Sequence, residues 1–361
     1  MAAPRLRSLI TAILAGVALY AAAGVRWNDC LKQPAAWYGG DEARSIAANV
    51  LRYQAAEGGW PKNRDMTLPP EQTVPNDGKN HKDITLPTID NDATTTQMAF
   101  IARVFAATGD DPLKDAFLRG VDYLLAAQYA NGGWPQFFPL KKGYYTHITF
   151  NDDAMANVLT LLDDIAHARE PFGFVDETRR IHCRDAVTRG IDCTLKCQIV
   201  VDGVKTAWCA QHDEVTFAPA PARKFEMISI ASCESVGIVK FLMRIDHPSP
   251  EVVDAVESAV AWFKASELHG IRWEEFGEKD ELGKRDHHVV EDPDAPPIWA
   301  RFYEIGTNKP VFSGRDAVVV YDFAKIERER REGYGWYGDW PEGLLEKDYP
   351  KWLKRVGKEA K

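Results

Sequence analysis

One phrase occurs twice in this chain and constrains its fold more than any other feature. Residues 54–61 read QAAEGGWP and residues 128–135 read QYANGGWP. Each copy follows a run whose apolar residues recur at helical spacing, so each copy predicts the end of a helix. Because glycine adopts the left-handed C-terminal conformation cheaply and proline prevents continuation, we expect Gly-Gly to end both helices.

Weaker copies of the phrase continue along the chain. Trp60, Trp134 and Trp208 are evenly spaced, Trp273 follows slightly sooner, and each comes after a helical run. Another helical run lies between successive tryptophans, so the period contains two helices. The repeat predicts a mainly α chain folded as an α/α toroid, with about three pairs of helices that each bury a face on the next pair. An irregular helical bundle is the alternative.

The helical pattern fades after about residue 270. Residues 277–297 are polar and charged and predict a loop, whereas 298–305 and 316–323 predict short strands. We therefore expect a single catalytic domain over residues 24–361. It would consist of the helical toroid to about residue 270 and a small β-containing segment over about 271–361.

Residues 1–23 have the pattern of a secretory signal peptide. Arg5 and Arg7 precede an apolar run, and residues 21–23 are alanines that suit cleavage. An uncleaved anchor is the alternative. We expect a secreted monomer, extracellular or periplasmic, with no stable membrane association after cleavage. The net charge of −9 argues against a nucleic-acid partner, and the six cysteines permit three disulfides or buried thiols.

Two of the predicted helices begin with acidic clusters. Residues 88–96 read TIDNDATTT and residues 147–156 read HITFNDDAMA, so that residues 91–93 align with 152–154. We interpret Asp92 and Asp153 as helix caps, because a carboxylate satisfies the unpaired N–H groups of a first turn. The remaining hard oxygen ligands suit Ca²⁺, which accepts flexible geometry. The predicted calcium ligands are Asp90, Asn91 and Asp152.

Cations occupy the corresponding position of the third repeat. Arg223 and Lys224 stand where the earlier repeats have acids, and Arg301 and Arg315 follow on either side of Lys309. Any one of these side chains could serve an ordinary structural ion pair. Together with an acidic cluster in an acidic protein, they favour a substrate that carries carboxylates.

Long words in the sequence resemble one known family, polysaccharide lyase family 10, the pectate lyases with an α/α toroid. The words are YQAAEGGWPKNRDM, TIDNDATTTQMAFIARV, YLLAAQYANGGWPQFFP, HITFNDDAMANVL, PARKFE and WARFYEIGTNKPVFSGRD, and they run in order from about residue 27 to about 341. Two words depart from the family pattern. MISIAS follows PARKFE in place of a Pro-Ser-containing helix start, and GTNKP stands in place of GTNRP.

The resemblance implies a function and a set of site residues. It implies cleavage of de-esterified polygalacturonate by β-elimination, with Ca²⁺ and an arginine base. The base falls on Arg223, and the calcium positions fall on Asp90 and Asp152, with Asn91 nearby. The positions that bind substrate carboxylates fall on Arg301, Arg315, Lys62 and Lys309.

These residue types fit the chemistry of β-elimination. The proton at C5 of a galacturonate is acidified poorly by an ionised carboxylate, so cations must neutralise that group. Arginine stays protonated in water. We therefore expect a cationic surrounding, together with alkaline pH, to favour its neutral form as a base.

Three other functions are compatible with parts of the sequence. A toroid glycoside hydrolase on an acidic polysaccharide would use Asp90 and Asp152 as its acid pair. A terpene-cyclase-like toroid would share the Gln-x-x-x-Gly-x-Trp phrase, but arginines in the candidate cleft argue against that class. A non-catalytic module would bind an acidic polysaccharide without turnover.

Overall fold

The computed structural model describes residues 24–73 and 85–358; the predicted signal peptide lies outside them. Most of the described chain before residue 266 is helical, as the repeat predicts. No helix in the described residues is long and apolar enough to cross a membrane. The α-helices are α1 Asp41–Tyr53, α2 Thr95–Thr108, α3 Asp111–Ala127, α4 Ala154–Ala166, α5 Glu177–Cys197, α6 Ser232–Arg244, α7 Pro250–Ala265, α8 Arg328–Gly333 and α9 Tyr349–Arg355.

The first seven helices form two layers. Helices α2, α4 and α6 contact one another in succession, and α1, α3, α5 and α7 do the same outside them. The inner helix α4 buries nine of its thirteen residues, because it packs against α2, α5 and α6. This double arc confirms the predicted α/α toroid and places the starts of the inner helices together at its centre.

The glutamine of each repeat joins neighbouring outer helices. Gln54 Nε2 donates to the carbonyls of Gly58 (2.7 Å) and Ala116 (2.8 Å), so it connects the end of α1 to α3. Gln128 makes the equivalent bonds, which connect α3 to α5. Gln198 connects α5 to α7 through the carbonyl of Ala255. The repeated glutamine is therefore a structural residue.

The repeated tryptophan closes each hairpin. Trp60, Trp134 and Trp208 are fully buried, and each indole N–H donates at 2.8 Å to a carbonyl of the preceding outer helix. The fourth member of the set is Trp299, whose indole donates to the carbonyl of Phe263 in α7. The prediction that Trp273 continues the series was wrong, because an inserted hairpin separates α7 from its tryptophan.

The Gly-Gly pair acts in the turn and does not end the helix. Helices α1 and α3 end at Tyr53 and Ala127, before each glutamine, which is extended. Gly58 has φ +106°, and a Cβ there would lie 2.4 Å from the carbonyl oxygen of Arg119. Gly132 repeats this geometry. The expected glycine cap was therefore wrong, and the glycines serve positive φ and close backbone approach.

The strands are short and form antiparallel pairs, which matches the predicted β-containing segment. They are β1 Ile148–Thr149, β2 Val200–Val201, β3 Val204–Lys205, β4 Gln211–His212, β5 Ile230–Ala231, β6 Ile271–Phe276, β7 Asp286–Glu291, β8 Trp299–Ala300, β9 Phe302–Tyr303, β10 Phe312–Ser313, β11 Val319–Val320 and β12 Tyr337–Gly338. Pairing of β5 with β9 fastens the C-terminal segment to the start of α6.

Two details of the sequence interpretation change in this segment. The charged stretch 277–297 was predicted as a loop, but β7 lies within it and pairs with β6 along its whole length. Ring stacking of Trp273 on His287 and of Phe276 on His288 supports this hairpin, which polar composition had concealed. All six cysteines are free thiols, so the thiol alternative holds and the disulfide alternative does not.

Candidate active site

Two turns of left-handed backbone lead into the inner helices α2 and α4. Asn91 and Asp92 have φ of 50° and 58°, and Asp152 and Asp153 have φ of 49° and 58°. Asparagine and aspartate tolerate this region better than other side chains, yet it is uncommon outside glycine. Such strain concentrates at functional sites. The two turns therefore share a strained backbone, in line with their aligned sequences.

Asp92 and Asp153 do not cap these helices, contrary to the sequence interpretation. Helix α2 begins only at Thr95, and the side chain of Asp153 makes no capping hydrogen bond. The carboxylate of Asp92 instead accepts a 2.7 Å hydrogen bond from Asn157. Because the left-handed turn directs both carboxylates away from the first N–H groups, they belong to the acidic cluster.

One buried amide brings the two predicted calcium carboxylates together. Asn151 Nδ2 donates to Asp90 Oδ1 at 3.2 Å and to Asp152 Oδ2 at 2.7 Å. Both oxygens therefore lie within reach of a single atom, although the two aspartates belong to different repeats. Sequence reasoning missed Asn151, but its alignment with Asp90 in the repeat could have indicated it.

Lys62 lies on the other side of Asp90. Its ammonium forms an ion pair with Asp90 Oδ2, and Asp90 is only 2% exposed. The ammonium also lies 5.9 Å from the centre of the Phe137 ring. The predicted substrate residue Lys62 therefore reaches the predicted metal ligand.

Arg301 approaches the cluster from the C-terminal segment. Its Nη2 lies 3.4 Å from Asp152 Oδ1, and its guanidinium pairs with the buried carboxylate of Glu234 in α6. Burial raises the pKa of Glu234. Sequence reasoning missed Glu234, because nothing in the sequence indicates that a helix far upstream supplies the partner of Arg301.

Arg223 is held by a carboxylate close in sequence. Its Nε donates to Glu226 Oε2 at 2.7 Å, and Nη2 donates to Oε1. Burial favours the neutral form of Arg223, but the hydrogen bonds that it donates to Glu226, together with the charge of that carboxylate, outweigh burial and raise its pKa. The closest charged partner of Arg223 is therefore an anion, which the expectation of a cationic surrounding did not include. The hydroxyl of Tyr334 donates to the same carboxylate at 2.9 Å.

The two remaining predicted cations differ in position. Arg315 lies near Arg223, since both guanidiniums approach the ring of Phe225, at 5.9 Å and 4.9 Å. Its own partner is Glu329. Lys309 lies in an exposed turn, where its carbonyl accepts from the N–H of Glu304. No described contact joins its ammonium to the other predicted residues.

Asn91 faces a cleft and does not contact the carboxylate pair. Its Nδ2 donates to Asn63 Oδ1 at 2.8 Å. Both residues line a cleft of about 1080 Å³ together with Lys62 and Asp92. Asn91 therefore lies next to the predicted calcium carboxylates, and its side-chain nitrogen is directed toward Asn63 in the lining of the cleft.

Two carboxyl groups of the acidic cluster, those of Asp153 and Asp92, have raised pKa values. Asp153 is exposed in part, but its carboxylate is crowded, since a Cβ on Gly237 would lie 2.0 Å from Oδ1. Burial, followed by the nearby charges of Glu234, Asp92 and Asp152, raises the pKa of Asp153 to about 7. Burial also raises the pKa of Asp92. Perturbed carboxyls of this kind are typical of functional sites.

The residues present fit a hard cation. Asn151 Oδ1 is buried and has no hydrogen-bond partner, and it lies on the side chain that joins the two carboxylates. Amide oxygens and carboxylates are the ligands that Ca²⁺ prefers. Among the described residues, the surrounding acids also outnumber the cations near them, so an added cation would reduce their repulsion. The acids are Asp90, Asp92, Asp152, Asp153 and Glu234, and the cations are Lys62, Arg301 and Lys240, whose charge acts on Asp153.

A different group has ligand atoms close enough to share a metal ion. In the described part of the chain, His147, Asp213 and Glu214 have ligand atoms within 4.8 Å of one another. The group lies at the second GGWP turn, where Asn131 donates to the carbonyl of Glu214. Asp213 Oδ1 already accepts from the N–H groups of its own turn. This group was not predicted and is separate from Asp90 and Asp152.

Comparison with known proteins identifies the family of the chain. The profile of a family described as pectic acid lyase matches residues 54–345. A family 10 polysaccharide lyase from Cellvibrio cellulosa superposes with a TM-score of 0.75 at 35% identity, over 91% of this chain and 95% of that one. An aspartate-to-alanine mutant of such a lyase from the same organism, in complex with trigalacturonic acid, gives the same score and identity over 90% and 95%. A search of curated proteins found no significant match.

The family profile and the similar solved structures, which share the helical toroid, define the class as a polysaccharide lyase. More specifically, the chain belongs to the pectic acid lyase family, the pectate lyases of polysaccharide lyase family 10. The resemblance read from the sequence words is thereby confirmed. The comparisons lend no support to a terpene cyclase.

Proposed function

We propose that the chain is a secreted pectate lyase that cleaves de-esterified polygalacturonate by Ca²⁺-dependent β-elimination. The observation that carries the proposal is the joining of Asp90 and Asp152 through Asn151, with Lys62 and Arg301 beside them. The Cellvibrio relative in complex with trigalacturonic acid supports a galacturonate substrate. Secretion rests on the signal-peptide pattern of residues 1–23.

Calcium would be held by Asp90 and Asp152, with Asn91 or the oxygen of Asn151 completing the protein ligands. When bound, it would neutralise the uronate carboxylate and stabilise charge that develops beside C5. Within this chain, Lys62 and Arg301 orient the two aspartates through ion pairs. Positions fixed in this way need no reorganisation as the reaction proceeds.

Arg223 is the proposed base, and it would accept the C5 proton of the galacturonate. Its side chain is 44% exposed, whereas its partner Glu226 is 5% exposed, so the guanidinium is accessible from solvent and the carboxylate is buried beside it. Because Glu226 raises the pKa of Arg223, the neutral base forms only in alkaline solution unless bound cations offset the pair. Alkaline conditions should therefore favour turnover.

The remaining cations would bind substrate carboxylates. Arg301 and Arg315 present guanidiniums that match carboxylate geometry, although both are now paired with glutamates. Lys62 would contact the sugar nearest Asp90. We assign Lys309 to a sugar of the polysaccharide farther from the cleavage point, since its turn is exposed and apart from the Asp90–Asp152 pair.

A glycoside hydrolase on an acidic polysaccharide is the second candidate, and the pKa of Asp153 favours it. A carboxyl with a pKa of about 7 is a suitable general acid near neutral pH. The hydrolase alternative drawn from the sequence used Asp90 and Asp152, which are instead joined through one amide. The family match supports the lyase over this candidate.

Isotope labelling separates the two reactions. Polygalacturonate would be digested in water enriched in heavy oxygen, and the product masses would be measured. Elimination adds no water, so lyase products should carry a double bond and no heavy oxygen. Incorporation of one heavy oxygen per cleavage would establish hydrolysis and overturn the proposal.

A further inference from the structure

Two lysines lie against one buried aromatic ring beside the proposed site. The Phe137 ring is 3% exposed, and its centre lies 5.9 Å from Lys62 Nζ and 5.0 Å from Lys141 Nζ. Lys141 Nζ also lies 3.9 Å from the centre of the Tyr145 ring, which meets Phe137 edge to face. Lys141 is therefore placed near the Lys62–Asp90 pair, although sequence reasoning did not select it.

The two aromatic rings fix the position of the second ammonium. Phe137 and Tyr145 attract the Lys141 ammonium through cation–π contacts, in addition to any other contact that it makes. A buried ring holds an ammonium at a lower entropic cost than a flexible partner would. Two positive charges therefore lie against the same ring, and one of them, Lys62, forms an ion pair with the predicted metal ligand Asp90.

The same loop extends toward the proposed base. Tyr144 packs on Tyr145, with ring centres 4.0 Å apart. Burial raises the pKa of Tyr144, and the opposed charges of Arg223 and Glu226 act on the same hydroxyl, which places Tyr144 close to that pair. Phe137 and Tyr144, seven positions apart in one segment, therefore approach the Lys62–Asp90 pair and the Arg223–Glu226 pair respectively.

We infer that Lys141 binds a carboxylate of a galacturonosyl unit next to the one held at Asp90. The inference rests on the proposed function and adds a substrate-binding residue to it. The proposed substrate is a polyanion with one carboxylate on each sugar. A second positioned cation near the first could therefore bind the carboxylate of the neighbouring sugar. Lys141 is neither a predicted metal ligand nor the proposed base, so its loss should weaken substrate binding and leave the chemistry intact.

The test compares Lys141→Ala, Lys141→Arg and the matched control Lys142→Ala, since Lys142 is the neighbouring exposed lysine. Initial rates would be measured against polygalacturonate concentration and, separately, against calcium concentration. Loss of one charged contact predicts a KM raised about tenfold for Lys141→Ala, with kcat and calcium half-saturation within about twofold of the parent. Lys141→Arg should restore most of the affinity, and Lys142→Ala should match the parent.

Two results would overturn the inference. One is equal behaviour of Lys141→Ala and Lys142→Ala, and the other is a fall in kcat for Lys141→Ala at unchanged KM. Retardation in polygalacturonate-containing gels gives a second readout that needs no turnover. If the parent makes no unsaturated product, the proposed function has failed. A specific loss of retardation in Lys141→Ala would still support the binding role, and unchanged retardation would end it.

Discussion

We call the C-terminal ends of the outer helices, with the turns that follow, the outer ends of the repeats, and the starts of the inner helices their inner ends. The two kinds of end contrast in which features they preserve from one repeat to the next. At the outer ends, Gln54 and Gln128 make the same pair of hydrogen bonds, and Trp60 and Trp134 make the same buried bond to the preceding helix. At the inner ends the backbone repeats while the side chains change. The outer ends therefore specify the fold, and the inner ends are where chemistry differs between repeats.

The inner ends show how a repeat can build an asymmetric site. The first turn reads Asp90-Asn91-Asp92 and the second reads Asn151-Asp152-Asp153, with matching left-handed backbone at the last two positions. Exchange of Asp and Asn between the first two positions lets one amide bridge two carboxylates. The start of the third inner helix contributes the buried Glu234 instead. A repeated backbone therefore need not mean a repeated role.

The largest expected effect separates chemistry from fold. Arg223→Lys should lower kcat by roughly 10²- to 10⁴-fold, which is what general-base catalysis contributes. Thermal unfolding should stay close to that of the parent. Lys224→Ala, at the next and also exposed position, is the control. Parent-like turnover in Arg223→Lys would remove this residue from the mechanism.

The second prediction concerns the buried tryptophans. Trp134→Ala should lower the free energy of unfolding by about 3–5 kcal/mol, because a large buried side chain leaves a cavity and an unpaired carbonyl. Trp273→Ala should cost much less, since Trp273 is only half-buried and lies outside the set. Denaturant unfolding measures both values. Equal losses would show that Trp273 belongs to the repeat after all.

The third prediction tests the glutamine link. Gln128→Ala removes two hydrogen bonds and leaves the carbonyls of Gly132 and Ala186 without this partner. We expect a loss of about 1–3 kcal/mol in unfolding free energy. The calcium response of the folded enzyme should not change, because this end of the repeat is structural. A changed calcium response would contradict the contrast between the two ends.

The fourth prediction addresses the calcium carboxylates. Asp152→Asn should raise the calcium concentration for half-maximal activity by at least about tenfold, because a charged hard ligand becomes neutral. Direct calcium titration by calorimetry provides a readout without substrate. Asp202→Asn is the control, since Asp202 is exposed and also has positive φ, 49°. An unaltered calcium response in Asp152→Asn would show that this aspartate is not a ligand.

The smallest expected effect is a shift in pH dependence. Glu226 raises the pKa of Arg223, so Glu226→Gln should lower that pKa and increase the neutral fraction at a given pH. The alkaline rise of kcat should therefore move to lower pH, by on the order of one unit. Tyr334, Tyr144 and Arg315 also face this group and are kept in the variant. A shift to higher pH would mean that Arg223 is not the group whose titration limits turnover.

Most of the fold could be predicted from the sequence because the repeat is local. Helix, glutamine, glycine and tryptophan follow one another in a short stretch, so their pattern is readable along the chain. The tryptophan of the fourth repeat was assigned wrongly because a charged hairpin separates α7 from Trp299. Its strands carry stacked rings such as Trp273 on His287, and polar composition concealed this pairing.

The site was less readable because its contacts are distant in sequence. Arg301 meets Asp152 across 149 positions and Glu234 across 67. The motifs in the sequence identified the arginines and the aspartates. They could not reveal that Glu234 pairs with Arg301 or that Glu226 pairs with Arg223. Asp92 and Asp153 were interpreted as caps because capping is the commonest use of aspartate before a helix, and left-handed turns override that preference here.

The most direct test of the calcium-dependent lyase assignment follows ultraviolet absorbance of unsaturated product over time. Purified protein would be mixed with polygalacturonate in alkaline buffer, with either calcium or a chelator, and Arg223→Lys would be measured in parallel. We expect a rise with calcium that the chelator abolishes and that Arg223→Lys lacks. A parent that releases reducing ends without this rise would contradict the lyase assignment, and a rise that persists in the chelator would contradict the calcium site.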